Sequence, residues 1–265
     1  MKIHYPSVSV ERRDSLGNGL IKISFRSPEL AARLRPGNFI HIRVTQQLDP
    51  LFRRAMSVHS ADEELFTILF RIVGRGTELL ALLKEGARVD ILGPLGNSFN
   101  PPRDGETAVM VSGGTGLPPL HFLARSLICD NGVDPETTRF LCGISSLGDL
   151  PLTFDVKSLG LDLLISSDDG SVGVRGLVTD LLAHKLQNAD VSKMRVYSCG
   201  PEPMLRVVAN MCVARGVRCQ VSLERHMPCG VGTCLGCVVQ SPTSDDGFRR
   251  VCIEGPVFEA NEVRL

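Results

Sequence analysis

Four cysteines near the end of the chain stand at a spacing that carries chemistry. Cys229, Cys234 and Cys237 form C-x4-C-x2-C, and Cys252 follows after 14 residues. This is the spacing of a plant-type [2Fe–2S] centre with a distant fourth cysteine. Each iron takes two bridging sulfides and two protein thiolates, so four thiolates must come from a loop short enough to wrap the cluster. Gly230, Gly232 and Gly236 are interleaved with the ligands. Lacking Cβ, they let the main chain approach closely and turn N–H groups toward sulfur. A structural zinc site is the competing reading, but zinc loops favour C-x2-C used twice. The chain has nine cysteines in 265 residues. An odd number excludes a complete disulfide set within one chain, and clustered thiols in a reducing compartment point to metal or redox chemistry. Cys129 and Cys212 fall in apolar helical patterns, Cys142 in an apolar strand, and Cys219 just before the cluster segment. All four are expected in the core, where free cysteine packs as a small hydrophobe.

Further segments have the composition of nucleotide contacts. Arg54-Ala55-Met56-Ser57 closes a strand-like run, and Arg71-Ile72-Val73-Gly74-Arg75-Gly76-Thr77 follows it 17 residues later, opening a helix. An arginine clamps a pyrophosphate bidentately, and a glycine-led helix start offers N–H groups to it. Together with Gly93-Pro94-Leu95-Gly96, these point to a flavin dinucleotide. Gly113-Gly114-Thr115-Gly116 follows the run AVMVS and precedes a helix. It is not the G-x-G-x-x-G fingerprint, but a glycine turn there brings main chain close to a diphosphate. Cys199-Gly200-Pro201 repeats the strand-to-helix transition and places a thiol at a sheet's C-terminal edge, where α/β ligands bind. Packing at a strand end is the alternative for Cys199. His226, beside the cluster segment, reads as structural or surface.

The elements that must position these residues change character along the chain. VSVERR, LIKISFRS, NFIHIRV, AMSVHS, LFTILFRIV and ARVDILG are short β-rich runs punctuated by LGNG, RPGN and GRGT, with one helical interruption, GTELLALLKEG. They predict an antiparallel barrel over residues 1–100. After NPPRDGE, which reads as a linker, strands and helices alternate. LPPLHFLARSLI places Leu117, Leu120, Leu123 and Leu127 on one helix face, and PMLRVVANMCVARG closes at Gly216. This predicts a parallel-sheet α/β domain over 101–218, followed by a small cluster domain over 219–265. The fold class is thus multidomain, β plus α/β.

Charge and hydropathy exclude several classes. Lys+Arg and Asp+Glu are 29 each, so nothing suggests neutralisation of nucleic-acid phosphates. No run of 18 apolar residues offers a membrane span. MKIHYPSVSVERRD has no apolar signal core, which predicts a cytoplasmic protein.

Taken in order, these motifs resemble the ferredoxin-reductase-like flavoproteins, and among them the electron transfer subunits of dihydroorotate dehydrogenase B. The sharpest matches are the stretch from Gln220 to Cys237 and that from Arg250 to Phe258, with Asp168-Asp169-Gly170-Ser171 and Gly176 to Leu182 in support. The resemblance implies FAD on Arg54 to Ser57, Arg71 to Val73 and Gly76-Thr77. It implies NAD(H) over Gly113 to Gly116 and Cys199 to Pro201, with Cys199 near the nicotinamide, and a [2Fe–2S] cluster on Cys229, Cys234, Cys237 and Cys252. It also implies a partner: an FMN-containing catalytic subunit that oxidises dihydroorotate, in a complex with two copies of each subunit. Met227, Val231 and Leu235 are candidate contacts for it. Two departures stand out. Ala55-Met56 replaces a segment that usually begins with proline. Gly143-Ile144-Ser145-Ser146 stands where an arginine is expected, which predicts NAD(H) over NADP(H). Flavin subunits of NAD(P)H:ferredoxin oxidoreductases and sulfide dehydrogenases share the architecture, although four cysteine ligands favour the dihydroorotate reading. A zinc-stabilised interaction module is the alternative of a different class.

Overall fold

The computed structural model describes residues 3–187 and 190–265. The first hundred residues form a seven-stranded antiparallel sheet: β1 (His4–Gly17), β2 (Leu20–Arg26), β3 (Phe39–Arg43), β4 (Arg54–Ser57), β5 (Ser60–Ala61), β6 (Leu65–Arg71) and β7 (Arg88–Leu95), in the order β4-β3-β7-β1-β2-β6-β5. The two ends of this sheet, β4 and β5, are separated in the chain only by Val58 and His59. The N–H of Val58 reaches the Asn38 carbonyl, and that of His59 the Thr67 carbonyl. The sheet therefore curls on itself, as the expected barrel. Asn18-Gly19 makes the β1–β2 turn with φ of 47° and 71°, the two-residue hairpin for which this dipeptide is suited. Short helices α1 (Pro28–Ala31) and α2 (Arg75–Ala81) pack on the barrel. Helix α2 is shorter than GTELLALLKEG suggests, because the chain turns from Lys84 to Ala87 through Gly86 at φ 80°.

The second unit holds β8 (Thr107–Gly113), α3 (Leu117–Arg125), β9 (Thr138–Ile144), α4 (Phe154–Lys157), β10 (Asp162–Ser167), β11 (Val174–Arg175), α5 (Val178–Gln187), β12 (Met194–Cys199), α6 (Glu202–Ala214) and β13 (Arg218–Ser222). The sheet order is β11-β10-β9-β8-β12-β13, all parallel. Val109 and Val111 pack toward α5 and α6, while Ala108 and Met110 pack toward α3. This is the alternation of a sheet covered on both faces. Leu117, Leu120, Leu123 and Leu127 are all buried, and α6 ends in paired bonds from Val217 to Cys212 and from Gly216 to Val213, with Gly216 at φ 66°.

Cys142, Cys212 and Cys219 are buried as expected, but Cys129 is exposed. Beyond Arg125 the helix widens over Ser126–Asp130, with Asn131 N–H bonding to the Ser126 carbonyl five residues back. Cys129 stands two residues beyond the buried Leu127, about 200° round a helix, so it emerges on the opposite, solvent side. The parallel sheet also runs past residue 218. Strand β13 lies in it, and after an irregular segment with the hairpin β14 (Val238–Gln240) and β15 (Phe248–Arg250), the chain returns as β16 (Val257–Glu259), antiparallel to β13. Among the described residues, no helix is long and apolar enough to cross a membrane.

A buried polar cluster joins barrel to α/β unit. The rings of His59 and His121 stack with centroids 4.0 Å apart and planes within 10°. The His59 carbonyl accepts from His121 Nδ1 at 2.9 Å, and Asp155 Oδ2 accepts from His59 Nε2 at 2.7 Å and from Lys22 Nζ at 2.6 Å. Burial, with His59 beside it, pushes His121 down to about 3.

Candidate cofactor and cluster site

Strand order decides where a nucleotide can lie. From β8 the chain moves through β9 and β10 to one side and then crosses to β12 and β13 on the other. The C-terminal ends of β8 and β12 thus flank the topological switch point, where open α/β sheets bind ligands. Gly113–Gly116 leaves β8 there and Gly200-Pro201 leaves β12. Glycine is required on steric grounds: a Cβ on Gly116 would strike the main chain of Cys199, and one on Gly113 would lie 2.7 Å from Met204 Sδ and 2.8 Å from Pro201 Cδ. Ser145, Ser146, Asp149 and Glu224 complete this crevice, together with Arg71 and Asn18 of the barrel. Cys199 lies at the expected strand end but is buried, its thiol beside Ser222, and burial pushes that thiol well up. Its main chain, packed on Gly116, borders the crevice.

A second cleft opens between the barrel and the cluster segment. Ala55, Met56 and Ser57 of β4, Arg71, Val73 and Thr77 line one wall, and Thr115, Ser222, Glu224 and Met227 line the other. The two clefts share Arg71, Thr115 and Glu224. Arg54, Ile72 and Gly76 are chain neighbours of these residues but do not themselves line the cleft. Arg54 Nη1 donates to the Phe52 carbonyl at 2.6 Å, and its guanidinium lies so close over Gly76 that a Cβ there would collide with it. Ile72 packs against the barrel core. Thr77 Oγ1 accepts from the N–H of Val73 and Gly74, at 2.9 and 3.1 Å, and donates to the Gly74 carbonyl, pinning the loop. Arg71 is held by the buried carboxylate of Asp149 at 2.8 Å and donates to the Asn18 carbonyl at 2.5 Å. Sequence reading assigns no role to Asp149, which sits in no motif, or to Glu224, which lies inside the Gln220–Cys237 stretch but is not singled out there. Glu224 is exposed at the mouth of both clefts.

The four cysteines come together as two pairs, three on one loop and Cys252 brought back beside Cys237 by the β14–β15 hairpin. Cys237 Sγ and Cys252 Sγ are 3.3 Å apart, well beyond a disulfide bond of about 2.05 Å. Cys234 is the side-chain neighbour of Cys229. Main-chain N–H groups point at sulfur: Val231 to Cys229 at 3.5 Å, Gly236 to Cys234 at 3.4 Å and Cys252 to Cys237 at 3.5 Å. Burial alone would raise the Cys229 thiol, but the N–H groups of Val231 and Cys234 and the Cys234 side chain bring it down to about 6. Burial and the Cys237 thiol push Cys252 up to about 12. Among the described residues, no three His, Cys, Asp or Glu side chains are placed to hold one metal ion. A binuclear cluster asks instead for two thiolates per iron, and paired thiols ringed by N–H donors fit that demand. Gly230 and Gly232 take φ of 69° and 79° in the wrap. Val231 and Leu235 are exposed beside the cysteines, whereas Met227 turns into the second cleft. His226 is exposed.

Comparisons with known proteins agree with this geometry. Residues 224–264 match the family model of the iron-sulfur cluster binding domain of dihydroorotate dehydrogenase B. The dihydroorotate dehydrogenase B (NAD(+)) electron transfer subunit of Bacillus velezensis is 35% identical over 264 residues, covering 97% of this chain and 98% of that protein. This chain belongs to the family of dihydroorotate dehydrogenase B electron transfer subunits. The family member from Geobacillus thermodenitrificans is 39% identical over 246 residues, 90% of this chain and 91% of its own. Among solved structures, an NADH-dependent reduced ferredoxin-NADP oxidoreductase superposes with a TM-score of 0.83 at 26% identity, covering 98% of this chain and 90% of that one. The ferredoxin reductase of carbazole 1,9a-dioxygenase, at 23% identity and a TM-score of 0.67, covers 81% of this chain and shares the fold. An electron transfer subunit of this family thus has the ferredoxin-reductase-like architecture expected from its motifs, with the cluster segment added at its end.

Proposed function

We propose that this chain is the electron transfer subunit of an NAD-dependent dihydroorotate dehydrogenase, relaying electrons from an FMN-containing catalytic subunit to NAD⁺ in pyrimidine biosynthesis. The observation that carries this is that the segment leading into the paired cysteines, Ser222 to Met227, lines the flavin-type cleft, with the switch-point crevice opening from the same cleft. FAD exchanges electrons both as a hydride pair and singly, which is what connects a nicotinamide to an iron–sulfur cluster. The residues present fit these groups. Arg54 and Arg71 would hold the dinucleotide phosphates, with Ala55 to Ser57, Ile72, Val73 and Gly76-Thr77 shaping the wall. Gly113 to Gly116 and Cys199 to Pro201 would receive NAD(H) through main chain. Cys229 with Cys234, and Cys237 with Cys252, would each hold one iron. Asp149 keeps Arg71 oriented across the two units, and burial of Cys237 and Cys252 keeps water from that side of the cluster.

The catalytic subunit would dock where Val231, Leu235 and Ile253 are exposed around the cysteines, in a complex with two copies of each chain. Nine free cysteines suit the reducing cytoplasm. The likeness to the ferredoxin-NADP oxidoreductase supports a second reading, exchange with a ferredoxin. The relatives at 35–39% identity favour the first. The test mixes the purified chain with an FMN-bearing dihydroorotate dehydrogenase subunit and follows NADH formation from dihydroorotate. The mixture is expected to be active and each part alone inactive, while this chain alone passes electrons from NADH to an artificial acceptor. Absence of complex formation combined with efficient reduction of ferredoxin would establish the second reading instead.

A further inference from the structure

One buried side chain lies between the flavin strand and the cluster loop and belongs to neither motif. His41 is in the middle of β3, fully buried, and pairs through its main chain with Ala55 of β4 on one side and Leu92 of β7 on the other. Its ring packs against the cluster loop: a Cβ on Gly230 would be 2.7 Å from Nδ1 and 3.0 Å from Cε1. The main chain of Met227 and of Cys229 faces the ring nitrogens. Neither nitrogen has a hydrogen-bond partner of good geometry among the described residues. Leaving an imidazole donor buried and unsatisfied is costly, and an aliphatic residue would fill the same space in a strand whose other buried residues are Phe39, Ile40 and Ile42. A histidine kept at this point needs an acceptor, and the main chain set against it is that of the loop leading into the first cysteine.

Given the flavin and cluster assignments above, we propose that His41 is a positioning residue for electron exchange. Its ring N–H closes a hydrogen bond to the main-chain oxygen of Met227 or Cys229 when the cluster is bound, and so fixes the Cys229 end of the loop against β3, the strand paired with the one that carries Ala55 and Met56. Gly230 is part of the same device, since any larger residue would push the ring away.

The test uses the full chain purified anaerobically with its cofactors, as wild type, His41→Phe, His41→Asn, His41→Gln and Gly230→Ala. Two quantities are read: the rate of iron release to a chelator, and the electron paramagnetic resonance spectrum of the reduced cluster. Outer partners of metal ligands contribute about tenfold to a hundredfold in metal affinity or activity. His41→Phe, which keeps the ring and loses the donor, should release iron faster by about that factor and show altered g-values. Gly230→Ala should do the same. Either His41→Asn or His41→Gln, whichever places its amide on the acceptor, should restore release to near the wild-type rate. Wild-type spectrum and iron retention in His41→Phe would overturn the proposal. So would equal lability in all three His41 variants, which would mark a purely steric role. Should His41→Phe fail to fold, the contrast between the two amide variants and Gly230→Ala decides the matter. A wild-type chain that carries flavin but no iron would overturn the cluster assignment itself, an outcome separate from the behaviour of His41.

Discussion

Acidification should loosen the junction between barrel and α/β unit through His121. The neutral form of this ring is built in. Its Nδ1–H donates to the His59 carbonyl, its face is covered by the His59 ring, and the nearby charges are Asp155 and Lys22, which neutralise each other. Burial, then His59, hold His121 at about 3 against an ordinary value of 6.5. The unfolded chain therefore takes up a proton near pH 6.5 that the folded chain refuses. Stability is full above pH 6.5 and falls by about 1.4 kcal/mol per pH unit as the pH drops toward 3. At pH 5 the loss is about 2 kcal/mol, or about 4–8 °C in midpoint for a chain of this size. His59 is shifted in the same direction by burial, so it adds to the slope. Asp155, held low by its bonds to His59 and Lys22, matters only below pH 3.8. The assay is thermal unfolding from pH 8 to pH 5 of wild type and His121→Leu, both saturated with FAD so that cofactor terms cancel in the difference. The variant should be the less stable at pH 8, by about 1–3 kcal/mol for the lost bond and stack, and the gap should close by about 2 kcal/mol at pH 5. A gap that stays constant across this range would refute the assignment of a neutral, buried imidazole.

Four further outcomes are expected. Cys234→Ser should give a protein that still binds FAD but lacks cluster absorbance, and stoichiometric zinc without iron in the anaerobically purified wild type would contradict the cluster. Arg54→Ala should weaken FAD binding by about tenfold to a hundredfold, the worth of a charge-assisted bond. An unchanged dissociation constant would place the phosphates elsewhere. Steady-state rates should favour NADH over NADPH, because Ser145 and Ser146 in the crevice offer no cation to a 2′-phosphate; equal kcat/KM for the two would show that another basic residue, such as Arg175, reaches it. Asp149→Asn should destabilise the chain by about 1–3 kcal/mol in urea unfolding and weaken FAD binding through the released Arg71. Intact flavin affinity in this variant would mean that Arg71 is held by the barrel alone.

Features set by neighbouring residues are legible in the amino-acid order itself. The four clustered cysteines span only residues 229–252, and a wrapping loop needs no distant partner to impose its spacing. Asn18-Gly19 dictates its own hairpin, Gly216 its own helix end, and the leucines of α3 their shared face, because each follows from dihedral preference or helical period. The alternation of strands and helices after residue 107 likewise announces a parallel sheet, whose crossovers leave few arrangements.

Tertiary structure alone decided what faces those motifs. His41 meets Gly230, Arg71 meets Asp149 and His59 meets His121 across large separations in the chain, and hydrophobic patterning does not distinguish a buried histidine from a surface one. The end of the α/β unit was also a tertiary outcome. A strand's membership in a sheet is set by the edge it pairs with, so β13 and β16 join the parallel sheet on either side of the cluster segment. The sequence by itself thus determined which chemical groups are present and the local turns that carry them. Packing between units determined which of those groups share a cleft, because burial and ion pairing depend on residues that only folding brings together.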